Sequence, residues 1–173
     1  KELKNSFNWH HEIQYRNYNL FGELEQLLLR TGFGFNVNAN NNILLGYGFI
    51  DSRNIIGQTD QILKVNEHRV YQQFISKHAI GKLKIQHRYR FEQRFVEDEF
   101  KLRYRYFLSL KIPFIKTNEK YYISTYNELF INANGDKTFG RNRIYGGLGY
   151  SLNSNIKFEF GYMNQIFKSS SRD

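Results

Sequence analysis

Apolar and polar residues alternate along most of this chain. From Leu83 to Phe95, Leu83, Ile85, His87, Tyr89, Phe91, Gln93 and Phe95 fall on one side. Lys84, Gln86, Arg88, Arg90, Glu92 and Arg94 fall on the other. Successive side chains of a strand point to opposite faces. One face is therefore apolar and aromatic, and the other carries four cations. Nine segments read this way: about Phe7–Asn17, Glu23–Val37, Ile43–Asp51, Glu67–Lys77, Leu83–Phe95, Lys101–Ile112, Tyr121–Asn132, Arg141–Ser151 and Ile156–Phe167. Most exceed the globular mode of about 5–6 residues and suit a tilted membrane strand of about 9–11.

The connections are expected to alternate. Asn38–Asn42 and Leu152–Asn155 read as tight turns, and Ser52–Asn66 and Ala133–Gly140 as longer loops. Short turns on one rim and long loops on the other are an outer-membrane pattern, which places the N-terminus on the periplasmic side. The predicted fold is an all-β, antiparallel up-and-down transmembrane β-barrel forming a single domain over residues 1–173. Nine strands are visible. An even count is the rule for such barrels, so ten are expected in the intact protein, with the final strand missing beyond the loop-like Ser169–Asp173.

The competing reading is a soluble lipocalin-like barrel, apolar inside and charged outside. Alternation is the same in both. The glycines favour the membrane reading: Gly32, Gly34, Gly46, Gly48, Gly147 and Gly149 all fall on the polar face. There they make room for large interior side chains, whereas on an exposed soluble face they cost strand propensity for no gain.

Composition narrows the chemistry. Lys and Arg number 25 against 16 Asp and Glu. The bases are spread at period two over many strands, so nucleic acid is not an expected partner. There is no Cys, which removes disulfide and thiolate-metal readings. No apolar run reaches the 18 or so residues of a transmembrane helix. Read as an envelope protein, the sequence is expected to be a mature form.

The polar faces define a predicted lumen network of Glu67, Arg69, Arg88, Arg90, Glu92, Arg94, Arg103, Arg105, Glu128 and Arg143. Simple hairpin registers set Arg69 beside Arg90, Glu67 beside Glu92 and diagonal to Arg90, Glu92 near Arg103, Glu128 near Arg105, and Tyr145 near Glu128. Buried charges need partners, and Arg forks suit carboxylates. A salt-bridged, filled lumen is the plainer expectation; an anion-attracting constriction is the alternative, because bases outnumber acids.

His11 and His87 fall on the apolar face, where a polar group is costly. The same registers put Gln72 opposite His87. With no serine near either histidine, a lipid-modifying enzyme is a third reading with no assigned catalytic residue. His10 and Glu12 share a face but do not make a metal site, and no cofactor is expected. Trp9, Phe33, Phe35, Tyr150 and Phe158 are predicted to girdle the periplasmic interface, and Tyr15, Tyr47, Phe91, Phe95 and Tyr104 the outer one. Arg53, Lys64 and Lys101, near outer loops, are candidates for lipopolysaccharide phosphates. Membrane lipid and other envelope proteins are the remaining expected partners.

Several patterns, taken in order, resemble a known family. They are Glu67-x-Arg69-x-Tyr71-Gln72-Gln73, His87-Arg88-x-Arg90-x-Glu92-x-Arg94, Arg103-x-Arg105, Asn127-Glu128-x-Phe130-x-Asn132, Arg141-x-Arg143 and Gly147-x-Gly149-Tyr150. The chain is similar along nearly its whole length to an uncharacterised Bacteroidota outer-membrane family, domain of unknown function 2490. That resemblance implies a ten-stranded barrel in a bacterial outer membrane and no assigned activity. The expected role is a structural protein or accessory subunit of an envelope complex.

Overall fold

A computed structural model of the chain describes residues 6–17, 24–56, 61–115, 119–134, 138–153 and 155–167. The described residues contain nine strands: β1 (Phe7–Asn17), β2 (Leu24–Asn36), β3 (Asn41–Ile56), β4 (Gln61–Ile80), β5 (Leu83–Val96), β6 (Glu99–Pro113), β7 (Tyr121–Asn132), β8 (Phe139–Ser151) and β9 (Lys157–Phe167). They form one sheet in sequence order. The pairings of β1 with β2, β2 with β3, β7 with β8 and β8 with β9 are antiparallel. The fold is all-β, as the period-two pattern dictates.

Contacts divide the chain into two compact units. One holds Lys1–Gln73 and Phe91–Arg103, the other Phe74–Arg90 and Tyr104–Asp173. In each, the charged face is the buried one. The first unit buries Glu67, Arg69, Glu92 and Arg103 while exposing Trp9, Phe33 and Leu45. The second buries Ser124 and Glu128 while exposing Leu148, Phe160 and Tyr162. Buried apolar side chains share the charged side: Leu28, Leu44, Ile50 and Tyr71 in the first unit, Tyr122 and Phe130 in the second.

Glycine makes that packing possible. A Cβ on Gly46 would run into the ring of Tyr71, which is 1% exposed, and one on Gly149 into the ring of Tyr122. A bare strand surface leaves each ring the space that a side chain would take.

Two expectations about connections are corrected. Ser52–Asn66 is not a long loop. β3 runs on to Ile56 and β4 starts at Gln61, so the link is 57–60, which lies outside the described residues. The apolar pattern stops near Ile50 but the ladder does not: Leu27 still faces Asp51, and Gln26 donates to Ser52 Oγ at 2.9 Å. Nor do short and long links alternate. Two-residue turns join β4 to β5 and β5 to β6, and the link 114–120 is longer than either. Link length therefore does not mark which rim faces outward. The predicted loop Ser169–Asp173 and residues 135–137 lie outside the described residues.

The tight turns have local causes. Gly81 adopts φ 58°, which a residue without Cβ enters freely. Glu97 adopts φ 49° without that freedom. Its carboxylate accepts the Asn66 N–H, and its own N–H donates to the Asn66 carbonyl at 3.1 Å.

Candidate functional site

The buried charges assemble as two ion-pair clusters, one in each unit. In the first, Glu67 is held from two sides. Arg94 forks across both its oxygens, from Nε and Nη2, each at 2.7 Å. Arg69 reaches Oε1 from Nε at 2.8 Å. Arg69 Nη1 also lies 3.7 Å from Glu92, and Arg103 donates to Glu92 Oε2 from Nε at 2.8 Å. The chain of contacts runs Arg94, Glu67, Arg69, Glu92, Arg103. The Glu92 side chain is 0% exposed.

In the second unit one carboxylate gathers three guanidiniums. Glu128 Oε1 accepts from Arg88 at 2.7 Å and from Arg105 Nε at 3.1 Å. Arg143 stands 3.9 Å from its other oxygen. Rings cover the cations from the side: Arg88 lies 4.4 Å from the centre of Phe107, and Arg105 4.5 Å from that of Phe130. Arg forks and flat rings share the geometry that stacking needs.

The predicted network is thus brought together in part as drawn. Glu92 meets Arg103, and Glu128 meets Arg105. The β5 residue that bonds Glu67 is Arg94, where the simple register had set Arg90 on the diagonal. Gly81, rather than the end of the apolar pattern, sets the β4–β5 turn, and it brings Phe74 against Tyr89. Arg90 is buried in the second unit. Tyr145 does not face Glu128. The register sets Arg143 there and Tyr145 opposite Tyr126. A further pair was not anticipated: Glu159 accepts from Lys111 at 3.0 Å and from the Tyr122 hydroxyl at 3.2 Å.

On the exposed face, Gln72 and His87 each have a partner other than the one expected. Gln72 bonds Gln93 at 3.3 Å, while His87 Nδ1 lies 2.9 Å from the Tyr106 hydroxyl and its ring stacks on His78. His11 has a hydroxyl neighbour that strand-by-strand reading missed. Thr31 stands directly opposite it, 3.3 Å from Nδ1. Only the β1–β2 register could have revealed this. His10 lies 3.6 Å from Glu12, which Arg30 also engages at 3.2 Å. Among the described residues, no three His, Asp or Glu side chains gather as metal ligands.

Of the predicted interface aromatics, Trp9, Tyr15, Phe33, Tyr47, Tyr104 and Phe158 are exposed, and Phe35, Phe91 and Tyr150 are half-buried. Tyr47 does not belong to a rim. It faces Thr31, which faces His11, midway along β1. Arg53 and Lys64 lie in β3 and β4, not in a long loop, and Lys101 lies near the start of β6, close to the β5–β6 turn as expected. The first two are drawn to Asp51 at 3.9 and 3.6 Å, and Lys101 pairs with Glu99.

Fold and clusters together define an all-β sheet protein with a buried ionic face and an exposed apolar one. The chain belongs to the family described as Protein of unknown function (DUF2490), whose model matches residues 1–173. No curated protein and no solved structure matches the chain.

Proposed function

We propose that the chain forms a small transmembrane β-barrel in a bacterial outer membrane, its lumen largely filled by ion pairs. Its role is that of a structural protein or an accessory subunit of an envelope complex. One observation carries this: burial is inverted relative to a water-soluble protein. Glu92 is 0% exposed, while Phe160 is 88% and Trp9 71% exposed. Water does not favour such an arrangement, because buried ions cost free energy and exposed apolar area forgoes about 25 cal/mol per Å². Hydrocarbon around the sheet reverses both preferences.

Fractionation tests the reading. The protein is expected in the outer-membrane fraction, and its unboiled form is expected to migrate faster than the boiled form on a semi-native gel. A soluble protein with no heat-dependent shift would reject it.

A second reading, a narrow anion-preferring channel, draws support from the excess of guanidiniums. Three serve two carboxylates in the first cluster, and three surround Glu128 in the second. It predicts discrete conductance in planar bilayers that changes with Arg105→Ala; silent bilayers at high protein load would remove it.

A further inference from the structure

The second unit sorts its cations by type along the strands. Its described lysines are Lys77, Lys82, Lys84, Lys111, Lys120 and Lys157, and all of them stand at one end. Lys77, Lys82 and Lys84 lie at the β4–β5 turn, Lys111 is close to the end of β6, Lys120 immediately precedes β7, and Lys157 opens β9. Its described arginines, Arg88, Arg90, Arg105, Arg141 and Arg143, sit farther along the strands, and Arg88, Arg105 and Arg143 gather on Glu128.

Contacts join the lysine end. The Lys82 ammonium bonds Glu119 at 2.8 Å, and Lys84 acts on the same carboxylate. Beside them the Lys120 carbonyl accepts the Ser151 N–H at 2.8 Å, and Ser151 faces Lys157. On the same strand as Lys157, Glu159 takes Lys111 at 3.0 Å and the Tyr122 hydroxyl at 3.2 Å. The Lys111 ammonium lies 5.2 Å from the centre of the Tyr122 ring. Alternation puts Lys77, Lys84, Lys111 and Lys157 on the polar side of their strands, opposite the apolar face. All of these lysines except the half-buried Lys111 are exposed.

Charge at this end is not balanced within the unit. The ammoniums stand against the carboxylates of Glu119 and Glu159, while the remaining described acid, Glu128, belongs to the arginines. Like charges gathered in this way create a potential that attracts an anion. The residue type narrows which anion. Arg forks grip the paired oxygens of phosphates and of fixed carboxylates, and the unit keeps its arginines elsewhere. Lysine is a hydrated point charge on a flexible stem, suited to carboxylates presented at irregular positions. The anions that already touch these lysines, Glu119 and Glu159, are carboxylates.

Extent matters too. From β5 to β9 is about 19 Å along the sheet at the usual strand spacing, so a single small ion reaches only a few of the ammoniums. An extended peptide repeats its same-side residues every ~7 Å, so about four acidic side chains cover the row. The polar-face ammoniums lie away from the side that meets hydrocarbon, so the ligand comes from the aqueous phase rather than from surrounding lipid.

We propose that the lysine end of the second unit binds an extended acidic segment of another protein, chiefly through Lys77, Lys84 and Lys157. Such a segment is the partner chemistry of the accessory-subunit role, and the assignment rests on that reading.

The test uses the full chain, extracted from membranes in a non-ionic detergent and first checked for heat-dependent migration. Fluorescently labelled hexaglutamate is the probe. Anisotropy is expected to show saturable binding at low salt that weakens as salt is raised. Combining Lys77→Gln, Lys84→Gln and Lys157→Gln is expected to weaken it about tenfold. Combining Arg53→Gln, Lys64→Gln and Lys101→Gln removes the same charge from the first unit and is expected to change it by less than about twofold. Carbodiimide coupling of the probe to the unaltered chain, read by peptide mass spectrometry, is expected to place the new amide bonds on lysines of this end. That measurement keeps the test decisive if the combined variant does not fold. Equal losses from the two combined variants, coupling spread equally to Lys64 and Lys101, no saturable binding, or tighter binding of a polyphosphate of equal charge would overturn the proposal. An unaltered chain without heat-dependent migration would instead reject the membrane reading, and the coupling sites would still decide the lysine end.

Discussion

Replacing Glu92 by Gln is the sharpest test of the buried ionic face. The carboxylate is fully buried, takes two guanidinium bonds from Arg103 at 2.8 and 2.5 Å, and has Arg69 at 3.7 Å. Removing one partner of a buried ion pair costs about 3–5 kcal/mol, because the remaining charge stays buried. Glutamine keeps the shape and one carbonyl acceptor, which recovers about 1 kcal/mol. The expected loss is therefore about 2–4 kcal/mol. With a urea dependence of about 2 kcal/mol per molar, the midpoint falls by about 1–2 M. The assay is urea unfolding of protein refolded into lipid vesicles. Emission of Trp9, the single tryptophan, reports the folded fraction. A companion variant, Glu92→Leu with Arg103→Leu, is expected to recover at least half of the loss, since an apolar pair of similar volume replaces a buried ion pair at little cost. A Glu92→Gln midpoint within about 0.3 M of the parent, about 0.6 kcal/mol against the expected 2–4 kcal/mol, would refute the reasoning. The cluster would then be solvated in practice, and its geometry would carry no stability.

Three further outcomes are expected. Gly46→Val drives its side chain into the buried Tyr71 ring and is expected to cost about 1–3 kcal/mol, whereas Gly146→Ala enters open space and should be neutral or slightly stabilising by the same urea titration. Glu128→Ala leaves Arg88, Arg105 and Arg143 without their shared carboxylate. It should destabilise by about 3–5 kcal/mol, and a loss below about 1 kcal/mol would show that the three cations are hydrated. In the turn region, the Lys82 ammonium bonds Glu119 at 2.8 Å and its charge adds to that bond, holding the carboxyl below the ordinary glutamate value. A lowered folded-state value means that this contact contributes above the ordinary value and is lost as pH falls through the lowered one. NMR titration of Glu119 should show the depression, and Lys82→Ala should remove most of it, with Lys84 supplying the remainder.

The sequence by itself determined the element type, the strand bounds over most of the chain, and which residues share a face. β1 and β7 begin and end where the alternation does, at Phe7–Asn17 and Tyr121–Asn132. Strand geometry is local, so period two is enough. It also determined the Glu92–Arg103 contact, because the β5–β6 turn is tight and its position is fixed. Where alternation ended, legibility ended. β3 and β4 run beyond their apolar stripes, held by backbone pairing and by side chains such as Ser52 and Asp51 that look loop-like in isolation. Registers depend on which residue makes the turn, and it is Arg94 that bonds Glu67. The Thr31–His11 contact and the Tyr47 row belong to the same class, since each joins residues that only strand pairing brings together. Above all, alternation is unchanged when the two faces are exchanged. Within the sequence, only the glycines on the polar face pointed to the side that is buried. Only the tertiary structure decided that the carboxylates and guanidiniums go inside, where forks and rings can satisfy them, and that the apolar side faces out.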